Sequence, residues 1–208
     1  KELQWANKSH EYKRIRKDNA ACIFTASQPF TSLLGYSNIT ELKYSWIWQK
    51  NNATGHLNAK RMPMKNFEDI LVFYKGQPIY NPQGILSFNK KIRRGHNGTN
   101  FGSSGKENFQ EFTNYPRSVL NIPYDKVRGL HPTQKPLELM EYLIKTYTNE
   151  NALILDNCAG SFSTAVACDN LNRNWICIEK ELKYCQTGCK RINENRDILN
   201  KEKIISKF

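Results

Sequence analysis

The residues best suited to chemistry in this chain are two carboxylates and a glycine, spaced as Asp156, Gly160 and Glu179. A short apolar run, Leu153 to Leu155, ends at Asp156, and a turn of small side chains follows: Asn157, Cys158, Ala159, Gly160, Ser161. A helical segment then reaches Leu171, a second apolar run covers Trp175 to Ile178, and Glu179 closes it. Strand, small-residue turn, helix, strand and acid make a βαβ unit of the kind that cradles an adenosine-bearing cofactor. Small side chains let a ligand approach the backbone, and the helix start offers N–H groups. A carboxylate ending the second strand can accept hydrogen bonds from both ribose hydroxyls.

What the turn lacks narrows the cofactor. A pyrophosphate asks for G-x-G-x-x-G, with several glycines so that the backbone can wrap it. Here Gly160 is the turn's one glycine, and Phe162 fills the next small position. A nucleoside without phosphates, such as S-adenosylmethionine, asks for less. The expected cofactor contacts are Asp156, Cys158, Ala159, Gly160, Ser161 and Glu179. A nicotinamide-dependent oxidoreductase is the competing reading, and the single glycine argues against it.

Upstream of this unit stands the hexapeptide His-Pro-Thr-Gln-Lys-Pro, His131 to Pro136. A helix is predicted after it, with Leu137, Met140, Ile144 and Tyr147 on one face and Glu141 and Lys145 spaced for a surface pair. Pro136 suits its first turn, where the missing N–H costs nothing. Hexapeptide, helix, the run D-N-C-A-G-S-F-S-T from Asp156 to Thr164, and I-C-I-E ending at Glu179 together resemble the amino-directed (adenine-N6 or cytosine-N4) site-specific DNA methyltransferases. The resemblance is to the group whose cofactor motif follows the catalytic one. It extends upstream through Trp46 to Lys50, Leu57 to Pro63 and Phe67 to Tyr74, nearly the whole chain.

The resemblance implies an α/β fold: a Rossmann-like, S-adenosylmethionine-dependent methyltransferase sheet, mixed and mostly parallel, with helices on both faces and a basic insert. It implies Thr133 and Lys135 as further cofactor contacts, because the hexapeptide closes over the methionine end. It implies methyl transfer to an exocyclic amine of adenine or cytosine in a flipped base, double-stranded DNA as partner, and a place in restriction-modification. Two departures stand out. Phe162 replaces a family glycine, adding bulk expected beside the methionine pocket. The catalytic (D/N)-P-P-(Y/F/W) tetrapeptide does not occur in the 208 residues. With Lys1 at the start, the expectation is an N-terminally truncated methyltransferase domain, 1–208. The strand carrying the tetrapeptide is expected beside Ala20 to Thr25. A non-catalytic remnant that binds DNA or cofactor is the alternative.

Charge fits a polyanionic partner: 31 basic against 19 acidic residues give a formal +12 at pH 7. No apolar run approaches the roughly 18 residues that span a bilayer, and no signal peptide opens the chain, so an intracellular, cytoplasmic protein is expected. The six cysteines form no C-x-x-C pair, so no metal site is expected and the thiols read as small buried hydrophobes.

In chain order, helix is predicted over Glu2–Lys17, strand over Ala20–Thr25, helix from Pro29 to Leu34, and strands over Tyr44–Trp48 and Asp69–Tyr74. Trp46 and Trp48 read as core. Asn51 to Lys65 reads as a solvated loop, and the resemblance implies that it carries Lys60 and Arg61 at the cofactor and DNA cleft. Asn81 to Pro116 is glycine-rich and aperiodic, with Lys90, Lys91, Arg93 and Arg94, and reads as an irregular loop. Residues 81–117 match the family's DNA target-recognition insert, where adjacent cations suit phosphate contact. A last helix is predicted from Glu181 to about Asn195, followed by a polar tail.

Overall fold

The computed structural model describes residues 11–93, 107–125 and 129–205. They form two compact units, 1–81 with 118–208 and, separately, 82–117.

The larger unit is built on a four-stranded sheet of order β1-β3-β2-β6, from β1 (Cys22–Ala26), β2 (Leu42–Thr54), β3 (Lys65–Phe73) and β6 (Val119–Asn121). Alternation along β3 sends Ile70 and Val72 to one face and Leu71 and Phe73 to the other. Each face finds a helix. Helix α1 (Phe30–Ser37) lends Leu34 to Leu71, Phe73 and Ala26. Helix α2 (Leu137–Tyr147) buries Leu139, Leu143 and Tyr147 against Trp46, Trp48, Ile70 and Val72. The two tryptophans are core as expected, and each indole finds an acceptor inside: Trp46 Nε1 donates to Tyr147 Oη at 2.7 Å and Trp48 Nε1 to the Ile122 carbonyl at 2.7 Å.

The second sheet is the βαβ unit. Strand β7 (Leu153–Asp156), helix α3 (Ser163–Asn170) and β8 (Asn174–Cys177) follow one another, and the strands pair in parallel with Asp156 opposite Cys177. One face, carrying Ile154, Trp175 and Cys177, packs on α3. The other face leaves Leu153, Leu155, Ile176 and Ile178 exposed. Among the described residues β1 pairs only with β3, and β7 only with β8, so each has an open edge. The smaller unit is an antiparallel hairpin of β4 (Leu86–Arg93) and β5 (Glu107–Thr113).

The α/β architecture with helices on both sheet faces is as expected, but three details differ. The four-stranded sheet is not mostly parallel: β2–β3 is antiparallel across the short 55–64 connection, β1 pairs antiparallel with the other edge of β3, and only β2–β6 is parallel. The described part of Asn81 to Pro116 is not irregular but holds β4 and β5. The β4–β5 register shifts between Ser87 and Lys90, where Asn89 takes a left-handed φ of 47°. Likewise β2 runs on to Thr54, so only 55–64 is loop.

Helix boundaries differ too. The last helix, α4 (Leu182–Ile205), outruns the expected stop, supported by Lys190–Glu194 and by Arg196 on Asp169. The first helix ends at residue 15, and its Glu2–His10 portion lies outside the described residues. Helix α2 buries two sides instead of one stripe, the second being Ile144 with Met140 against α3. Its Glu141 accepts from Asn170 Nδ2 at 2.7 Å. Not all thiols are buried: Cys158 and Cys189 are exposed.

Candidate functional site

The turn after β7 is held by its own backbone. Asp156 Oδ1 accepts from the Cys158 N–H at 3.0 Å, and Oδ2 from Thr164 Oγ1 at 2.5 Å. The Ala159 N–H donates to the Ile178 carbonyl (3.0 Å) and the Phe162 N–H to the Ala159 carbonyl (2.8 Å). The Gly160 N–H donates to Glu179 Oε2 at 2.8 Å, while Glu179 Oε1 accepts from Glu181 N–H at 3.0 Å. These bonds, from Glu181 first and then Gly160, hold the Glu179 carboxyl below the usual carboxylate range. With the Lys180 N–H also contributing, the carboxylate keeps acceptor capacity for a ribose hydroxyl. The structure thus brings Asp156, Cys158, Ala159, Gly160, Ser161 and Glu179 together around one turn. Ala159 and Ser161 are buried and Cys158 is exposed.

The hexapeptide lies on that turn. Gly160 has φ +53°, and a Cβ there would meet His131 Cγ at 3.2 Å. The turn's glycine therefore serves the close approach of His131 as well as any ligand. The His131 ring stands edge-on to Tyr184, with centroids 4.3 Å apart. The Thr133 N–H lies 3.2 Å from His131 Nδ1 and its Oγ1 3.1 Å from the same nitrogen. Lys135 is committed to protein partners: Nζ donates to the Thr133 carbonyl (3.1 Å) and pairs with Glu68 Oε2 (3.3 Å). Its carbonyl accepts from Ser163 Oγ at 3.0 Å.

Glu68 also pairs with Lys50 at 2.5 Å, and Lys50 lies 5.0 Å over the Trp48 ring. Burial alone would raise the Glu68 carboxyl; Lys135 and Lys50 outweigh it and bring it below the usual range. On the far side Asp125 accepts from the Leu137 N–H (3.0 Å), capping α2 where the hexapeptide ends.

Phe162 sends its side chain into the core. It takes a left-handed φ of 60° at the start of α3, and its ring is buried with Val166 and Ile192. Sequence reasoning missed Glu68, Asp125, Ser163 and Arg191, which carry no spacing signal. Thr164 closes the Asp156–Thr164 run, yet nothing in its spacing marks it as the partner of Asp156. The expected DNA contacts fall in both units. Lys60 and Arg61 are exposed between β2 and β3, and Lys90 and Lys91 are exposed on β4. Arg93 ends β4, and Arg94 lies outside the described residues.

Comparison with known proteins agrees with this geometry. The chain is 41% identical over 160 residues to the type II methyltransferase M.HindIII of Haemophilus influenzae, covering 76% of this chain and 50% of that protein. It is 40% identical over 79 residues to the type II methyltransferase M2.MboI of Moraxella bovis, covering 38% of this chain and 29% of that one. The chain thus spans half or less of the length of these relatives. Among solved structures, that of the M1.HpyAVI–SAM complex superposes with a TM-score of 0.67 at 29% identity, covering 93% of this chain and 84% of that one. The DNA methylase family model matches residues 4–190, from the first helix through the βαβ unit and into α4. By that match and by the site just described, the chain belongs to the amino-directed (N6 and N4) DNA methylase family.

Proposed function

We propose that this chain is the cofactor-binding and DNA-facing part of an S-adenosylmethionine-dependent DNA methyltransferase acting on an exocyclic amino group of adenine or cytosine. One observation carries the choice of cofactor. The turn's N–H groups at 158, 159, 160 and 162 are already engaged within the protein, so they are not free to bind a pyrophosphate. What remains on offer is the Glu179 carboxylate and a close backbone approach at Gly160, which fit a nucleoside.

The bound cofactor supplies an electrophilic methyl group on a sulfonium. Glu179 would hold its ribose, the 157–161 turn its adenosine, and the hexapeptide, with Thr133 foremost, its methionine end. Lys135 acts by tying the hexapeptide to Glu68. The family's proton-accepting tetrapeptide is not among these residues, so no catalytic residue is assigned. Double-stranded DNA is the proposed partner, with the 82–117 hairpin as its target-recognition element and Lys60, Arg61, Lys90, Lys91, Arg93 and Arg94 as phosphate contacts. The formal +12 charge supports that reading. Work on DNA in restriction-modification puts the protein inside the cell; among the described residues no helix is long and apolar enough to cross a membrane.

The reading is tested by titrating the chain with S-adenosylmethionine and with NAD in parallel. Binding of the first and not the second is expected; preference for NAD would overturn it.

A further inference from the structure

Helix α4 meets the cofactor turn at two points one helical turn apart. At the first, a side chain on Gly188 would overlap the Phe162 ring, lying 2.8 Å from Cε2 and closer still to Cγ and Cδ2. Gly188 is buried in mid-helix, where glycine weakens the helix unless something needs the space. Phe162 needs it. A bulky residue with φ +60° is itself unusual and persists only where its surroundings hold it. Here the ring is 6% exposed, packed with Ala159, Val166 and Ile192.

At the second point, three residues along α4, Arg191 reaches the same turn. Its Nη1 donates to Ser163 Oγ (2.8 Å) and to the Ser161 carbonyl (3.2 Å). Its Nη2 lies 3.8 Å from Asp125, the residue that caps α2. The guanidinium is largely buried, and burial lowers its pKa, so its place there is maintained by these partners.

We infer that Phe162 and Arg191 are positioning residues: α4 grips the cofactor turn through them and sets the Gly160 N–H and the hexapeptide relative to Glu179. Phe162 thus stands in for the family's glycine, with Gly188 making room for it. This rests on the cofactor reading above, and its test separates the two.

In the full 208-residue chain, Gly188→Ala and Arg191→Ala are each compared with the parent for S-adenosylmethionine affinity, thermal unfolding, and alkylation rate at Cys158 followed by mass spectrometry. Cys158 is exposed in the turn and reports its mobility without any ligand. Both variants should lose affinity by roughly tenfold, the loss expected when a preorganised turn must be ordered on binding. Both should label faster at Cys158 while still unfolding cooperatively. Phe162→Gly removes the ring that α4 holds, and should lose affinity and label faster at Cys158 in the same way. Parental affinity and labelling in both single variants would overturn the inference. So would parental affinity and labelling in Phe162→Gly. If Gly188→Ala fails to fold, Arg191→Ala decides alone. If the parent itself does not bind S-adenosylmethionine, the cofactor reading falls, and Cys158 labelling still decides the grip.

Discussion

The imidazole of His131 occupies the space that a side chain on Gly160 would need, with Cγ 3.2 Å from the Cβ position. Two demands therefore meet at one residue: a left-handed φ and a close neighbour. Gly160→Ala should cost roughly 1–2 kcal/mol from the backbone conformation alone, and more from crowding His131. Adding His131→Ala should recover the crowding part and leave the strain. Denaturant unfolding of the two variants measures both; a Gly160→Ala protein as stable as the parent would show that neither demand is real.

The Lys50–Glu68–Lys135 cluster makes a prediction about acid. The Glu68 carboxyl is lowered on folding, so its contribution to stability is complete above the ordinary carboxylate pKa, about 4.5, and is lost as pH falls through the lower folded value. Glu68→Ala leaves two part-buried ammonium groups without their partner and should cost roughly 3–5 kcal/mol near neutrality. The parent's advantage should shrink as pH falls below about 4.5. A gap between parent and variant that is unchanged on acidification would exclude Glu68 as the source.

Much of this site was legible because its signals are local. Strand, small turn and acid fall within Leu153 to Glu179, and the hexapeptide is contiguous, so spacing alone places them. Glu68, Asp125 and Arg191 were not legible, since each reaches the site from another element and only tertiary packing shows it. The packing of Phe162 was not legible for the same reason: its ring goes under α4, and the residue that makes this possible, Gly188, lies 26 positions away. The β4–β5 pair was not legible because polar and charged residues fill most of both strands, leaving Leu86, Phe88, Ile92, Phe109 and Phe112 as their only apolar positions.

Lys90 and Lys91 give the prediction for DNA. Both are exposed on β4, Lys91 opposite Phe109 and Lys90 beside the Phe88 ring, with Arg93 ending the strand. Replacing Lys90, Lys91, Arg93 and Arg94 by alanine should weaken duplex binding. It should also flatten the salt dependence by about 0.9 for each phosphate no longer neutralised, roughly 2–4 in all. An unaltered slope would move the DNA surface elsewhere, first to Lys60 and Arg61.

The bare face of β7–β8 gives another. Leu153, Leu155, Ile176 and Ile178 lie exposed beside the open edge of β7, a combination that favours association. The 208-residue chain should self-associate in sedimentation, and Leu155→Lys with Ile176→Lys should reduce it. A parent that is monomeric at high concentration would contradict this.

Glu179 carries the central claim. Losing hydrogen bonds to a charged acceptor costs on the order of 1.5–3 kcal/mol, so Glu179→Ala should weaken S-adenosylmethionine binding by about ten- to a hundredfold. Because the Glu181 and Gly160 N–H groups keep this carboxyl ionised below the usual range, the parent's affinity should hold steady through mild acid. The decisive measurement is calorimetric titration of parent and Glu179→Ala with S-adenosylmethionine. A clear loss of affinity in the variant is the predicted result, and equal affinity in the two proteins would contradict the account.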